Sequence, residues 1–92
     1  MIANTDKELL VGIGAQIRIV RKKKGMALKD LAHAVGMEPS NLSVIENGKS
    51  NPQILTYVKI ASALKCSMAD LLHFPFNYKE LEQTYTPRKH PK

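Results

Sequence analysis

Apolar residues recur every three or four positions along most of this chain, and Val, Ile and Thr nowhere gather into an alternating run. That spacing puts side chains on one stripe of an α-helix, whereas a half-buried strand needs a period of two, so the fold class is all-α. The pattern is cut into short pieces by glycine and proline. A first helix is expected over residues 6–24, with Leu9, Leu10, Ile13, Ile17 and Val20 on one stripe and Gly25 ending it in a left-handed cap. A second, over 28–35, turns Leu28, Leu31, Ala32 and Val35 inward and stops at Gly36. A third opens at Pro39, whose missing N–H would be unpaired in a first turn anyway, buries Leu42 and Ile45, and lasts until Gly48. Ile54, Leu55, Val58, Ala61 and Leu64 define a fourth by their spacing. Ser67 with Asp70 three residues later forms a capping box that opens a fifth helix, reaching His73 before Pro75 closes it.

Ninety-two residues, 43% of them apolar, enclose one small core and leave no room for a second. Residues 1–74 are expected to be that compact five-helix domain, and 75–92 an extension able to help a dimer form. The extension mixes Phe76, Tyr78, Leu81 and Tyr85 with a basic end, Arg88-Lys89-His90-Pro91-Lys92; only its middle suits a helix, and its last six residues are expected to be disordered. A lone cysteine excludes an internal disulfide framework, and no apolar segment follows a basic start, so neither a signal peptide nor a membrane span is expected and the cytoplasm is the expected location. Fourteen Lys and Arg against eight Asp and Glu leave a net charge of +6, which favours a polyanionic partner such as nucleic acid.

Catalysis would need a convergent polar cluster, and none is visible. His33, His73 and His90 lack metal-ligand spacing, and Cys66 has neither a Cys nor a His beside it, so no catalytic residue, metal, cofactor or small-molecule ligand is expected. His33 reads as a solvent-facing helix residue and Cys66 as a partly buried small apolar one. Gly12-Ile13-Gly14 is no phosphate loop, because no strand precedes it; the pair of glycines lets another element approach closely. The basic run Arg21-Lys22-Lys23-Lys24 cannot share one helical face and raises long-range attraction to an anion.

Two short helices joined by a tight glycine turn can place the second in the major groove while the first crosses the phosphate backbone. Counted from Leu28 as the first of twenty positions, Ala32 is fifth, Gly36 ninth, Leu42 fifteenth and Ile45 eighteenth; the small residue permits close helix crossing and the glycine permits the turn. With Ile17-Arg18-x-x-Arg21 before them and Ile45-Glu46-Asn47-Gly48-Lys49-x-x-Pro52 after, these residues resemble the lambda-repressor and Cro type of helix-turn-helix, the xenobiotic-response-element family. Ala61-Ser62-Ala63-Leu64 and Ser67-Met68-Ala69-Asp70-Leu71-Leu72 look like that family's fourth and fifth helices, so the resemblance covers residues 12–74. It implies a small transcription regulator, commonly a symmetric homodimer on a palindromic operator of double-stranded DNA, similar to phage repressors and restriction-modification controller proteins.

By matching position, the resemblance assigns the exposed face of the third helix to Pro39, Ser40, Ser43, Val44 and Asn47, with Asn41 at its margin. Ser40 and Val44 are the base-reading candidates, a hydroxyl serving several base edges and an isopropyl group packing on a thymine methyl. Asn47, the Gly48 N–H, Lys49 and Ser50 would hold the phosphate backbone. Asn47-Gly48 also reads simply as a helix C-cap. Arg21 and Glu46 occupy positions the family uses for an ion pair between the first helix and the end of the third. Three departures stand out. Ala27-Leu28 replaces the polar cap and phosphate-touching Gln that often open the second helix; Glu38 brings a carboxylate to the start of the third, where it would accept from a cytosine amino group or cap its own helix; and Lys65-Cys66 replaces the Gly usual after the fourth. The dimer is expected through the C-terminal third, where Tyr57, Phe74, Phe76, Tyr78 and Tyr85 lie. The alternative on the same scaffold is a protein-interaction module, an antitoxin or bridging factor whose third helix binds protein.

Overall fold

The computed structural model describes residues 2–76, and Tyr78, Tyr85 and the remainder of the 75–92 extension after Phe76 lie outside them. Five helices follow in order: α1 (Ile2–Lys23), α2 (Leu28–Val35), α3 (Pro39–Glu46), α4 (Ile54–Leu64) and α5 (Met68–Leu71). Among the described residues there is no strand. α1 starts four residues before the expected Asp6, because Ile2-Ala3-Asn4-Thr5 contains nothing that stops a helix. At 22 residues it is about 33 Å long and acts as the spine, touching α3, α4 and α5, while α2 closes the other side against α3 and α4.

The core follows the periodicity in α1, α2 and α3. Ile13 and Ile17, Leu31 and Ala32, and Leu42 and Ile45 are buried, and they meet Tyr57, Ile60, Ala61, Leu64 and Leu71. α4 departs from the spacing that marked it. Its buried stripe is Tyr57, Ile60, Ala61 and Leu64, while Ile54, Leu55 and Val58 are 68%, 56% and 43% exposed. Both sets satisfy helical spacing, and the stripe holding the aromatic ring has more area to bury. His33 faces solvent and Cys66 is half-buried.

Two close approaches lock α1 in place. A Cβ on Gly14 would fall within 2.5 Å of the Glu46 carbonyl oxygen and would also strike that of Ile45, so the end of α3 lies directly on the α1 backbone. A Cβ on Gly12 would enter the ring of Phe74. Phe74 reaches that position because α5 ends at Leu71, short of the expected His73: the residue before Pro75 is pushed out of helical backbone, and the Phe74 N–H donates to the Leu72 carbonyl at 3.0 Å. The capping box forms, with the Asp70 N–H donating to Ser67 Oγ at 3.1 Å and the Ser67 N–H to Asp70 Oδ2 at 2.9 Å. Between α4 and α5, Lys65 takes the left-handed conformation itself, at φ 56° and ψ 44°, where the family pattern has glycine.

Candidate nucleic-acid interface

The turn between α2 and α3 is built on Gly36, whose φ of +81° lets its N–H return to the Ala32 carbonyl at 2.9 Å, joined there by the Met37 N–H at 2.9 Å. Glu38 is then extended and α3 begins at Pro39. Leu42 and Ile45, buried on one side, fix the rotation of α3, so Pro39, Ser40, Asn41, Val44 and Asn47 face outward and Ser43 is half-buried beside them. Eight residues of helix are about 12 Å long, the width of a major groove. The Asp30 carboxylate accepts from the Ala27 N–H at 3.0 Å, giving the start of α2 half of a capping box without a polar side chain at Ala27.

Behind this face stands a buried ion pair. Arg21 Nε donates to Glu46 Oε2 at 2.7 Å and Nη2 to Oε1 at 3.1 Å, while Nη1 donates to the Met26 carbonyl at 2.8 Å. Arg21 and Glu46 are 7% and 6% exposed. One guanidinium thus joins α1, the α1–α2 turn and the last residue of α3 in a fork that only arginine provides. Its hydrogen bond to Glu46 holds the guanidinium above the usual arginine range in spite of burial, so it stays charged.

After α3 several polar groups have fixed partners. The Asn47 side chain turns back on its helix, Nδ2 donating to the Ser43 carbonyl at 3.0 Å, and its backbone closes the helix as the C-cap. The Gly48 N–H, expected to face phosphate, donates instead to the Ile45 carbonyl at 3.0 Å, and the Lys49 N–H to that of Val44 at 3.0 Å; both complete the end of α3 and have no bond left to give. The outer rim is therefore made of side chains, with Lys49 exposed and Ser50 half-buried. Glu38 sits at the N-cap of α3 without a side-chain cap bond, so of the two roles open to it self-capping does not form.

Two residues missed in the sequence border this surface. Thr56, in the first turn of α4, shares a groove with Asn41 and Val44, and Lys7 of α1 shares a cleft with Asn47 and Lys49. No local spacing marks either, because each is brought there by tertiary packing. Elsewhere, burial pushes the Cys66 thiol up, with Asp70 adding to the shift, which keeps it in the unreactive protonated form. Among the described residues no group of His, Cys, Asp and Glu could hold a metal, and no helix is long and apolar enough to cross a membrane.

Comparison with known proteins places this geometry in a class. The helix-turn-helix family model matches residues 17–71, more than half of the chain. The chain belongs to this family, of the lambda-repressor and Cro type, whose members are transcriptional regulators and not enzymes. It is 40% identical over 62 residues to the HTH-type transcriptional regulator SinR of Bacillus licheniformis, a match covering 66% of this chain and 56% of that protein. It therefore spans about half the length of the curated relatives it matches. Among solved structures it resembles the clp gene regulator ClgR from C. glutamicum, with a TM-score of 0.68 and 34% identity over 70% of this chain and 82% of that one. It also resembles the restriction-modification controller protein C.AhdI from Aeromonas hydrophila, with a TM-score of 0.65 and 31% identity over 67% of this chain and 94% of that one.

Proposed function

We propose that this chain is a sequence-specific regulator that binds double-stranded DNA, inserts α3 into the major groove, and works as a homodimer on a palindromic operator. The observation that carries the reading is the outward face of α3, which presents Ser40, Asn41 and Val44 while the Arg21–Glu46 fork holds the helix from behind. Ser40 and Val44 read bases through a hydroxyl and an isopropyl group, with Asn41 and Ser43 at the flanks. Lys49 and Ser50 engage phosphates and set register without reading sequence, and Asn47, whose Nδ2 donates to both the carbonyl and the hydroxyl of Ser43, joins them once the weaker of those two bonds, at 3.5 Å, gives way.

Two copies pair through the outer face of α4. Ile54, Leu55 and Val58 form an exposed apolar turn within residues 50–58, a run without a charged side chain in a chain of net charge +6, with exposed Lys59 at its edge, so the patch itself is uncharged. The seven steps from Asn47 to Ile54 span at most about 25 Å, which allows a two-fold axis at this patch to set two α3 helices the roughly 34 Å apart that successive major grooves require. Of the aromatic residues expected at the dimer contact, Tyr57 is buried in the chain's own core, while Phe74 is half-buried against Gly12 of α1 and edge to face with Phe76.

Selection of preferred sites from random duplexes, followed by salt titration, tests the reading. Lys49→Ala is expected to reduce the magnitude of the log–log salt slope by about 0.9 for every sequence, and Val44→Ala to leave the slope alone while costing about 1 kcal/mol at one base pair. A chain that ignores duplex DNA and binds a protein regardless of salt would be the interaction module instead.

A further inference from the structure

The part of α1 that precedes the family match is held against the DNA-facing loop. The matched span begins at residue 17, whereas α1 begins at Ile2, so about four helical turns come before it. These turns are docked. A Cβ on Gly48 would fall within 2.5 Å of Val11 Cα, which means that the α1 main chain rests on the second residue after the end of α3. Lys7 lies four residues before Val11, one turn along the same face. It lines a cleft of about 710 Å³ together with Asn47, Lys49, Ser50 and Asn51, Asp6 being the one carboxylate in the lining.

We propose that this cleft binds a backbone phosphodiester of DNA, and that Lys7 extends the grip of the loop after α3 onto a phosphate flanking the half-site. The proposal rests on the reading of that loop as backbone-facing. Two lysines, two asparagines and a serine line it above Leu10 and the Gly48 backbone, and their ammonium, carboxamide and hydroxyl groups are the donors that phosphate oxygens accept from; no aromatic ring lines it on which a base would stack. The helix under Lys7 is already in place, so only the freedom of its exposed side chain is lost when it meets its anion. Free inorganic phosphate presents the same chemistry, and the experiment separates the two sources.

Binding of the full chain to a selected duplex is measured from 50 to 200 mM salt for the wild type, Lys7→Gln, Lys7→Glu and Lys49→Ala, on long duplexes and on duplexes trimmed to the half-sites. Lys7→Gln is expected to lower the magnitude of the slope by about 0.9, so that the fourfold rise in salt weakens the variant about 3.5-fold less than the wild type. Lys7→Glu should lower it further, the preferred sequence should not change, and trimming the flanks should abolish the difference while melting temperatures stay equal. A slope unaffected by either Lys7 variant, with Lys49→Ala still reducing it, overturns the proposal and leaves the regulator reading standing. So does inorganic phosphate that competes through the cleft at constant ionic strength when Lys7→Gln leaves the DNA slope intact. A wild type that binds no duplex overturns both.

Discussion

Arg21 and Glu46 are charged side chains taken into the interior, and removing water from them is costly unless each satisfies the other. The fork does so, and the third guanidinium nitrogen finds the Met26 carbonyl. Truncating one partner strands the other, so Arg21→Met and Glu46→Gln are each expected to cost about 3–5 kcal/mol, a fall of at least about 12 °C in melting temperature for a domain of this size. Replacing both with apolar residues should recover much of that loss, and thermal melts of the three variants check it. Lys65 is the opposite kind of residue, exposed and strained. A non-glycine residue in left-handed backbone pays about 1–2 kcal/mol, partly offset by the extra freedom glycine would have to lose. Lys65→Gly is expected to gain about 0.5–1 kcal/mol, read as a higher urea midpoint with an unchanged slope.

At the scale of the element, α5 is four residues long and depends on its cap. Hydrogen bonds from the Ser67 backbone and side chain hold the Asp70 carboxyl below its ordinary 3.8. A folded-state value below the unfolded one contributes stability that is complete above about pH 4 and fades as pH falls through the lower folded value. The melting-temperature difference between the wild type and Asp70→Asn should therefore be constant near neutrality and shrink below pH 4. α2 and the start of α3 could be read from sequence because their stops are local: Gly36 and Pro39 act through their own backbone. The rotation of α3 was legible for the same reason, since Leu42 and Ile45 leave one way for it to face. α4 was not, because Ile54, Leu55 and Val58 and the stripe through Tyr57 and Ile60 both fit a helix, and only contact with α1, α2 and α5 selects between them. Lys7 was invisible for a related cause, its place beside Lys49 being set by Gly48 meeting Val11 some forty residues away in sequence.

For the whole molecule, a net charge of +6 attracts a polyanion such as DNA and opposes the approach of a second copy, least where the surface is uncharged. Sedimentation at tens of micromolar is expected to find a dimer, and Leu55→Lys, which places an ammonium at the centre of the α4 face, is expected to yield a folded monomer. Removal of residues 77–92 should leave the dimer intact; if truncation dissociates it and Leu55→Lys does not, the C-terminal extension is the interface.

The Arg21–Glu46 fork also imposes an order in time. Arg21 is made 25 residues before Glu46, about 1–5 s earlier at the usual pace of synthesis, and until then its guanidinium has water for company. α1 therefore waits, helical at most, for the end of α3. When Glu46 arrives its carboxylate can join α3 to α1, so the outward face of α3 takes its fixed setting only after both charges have been made.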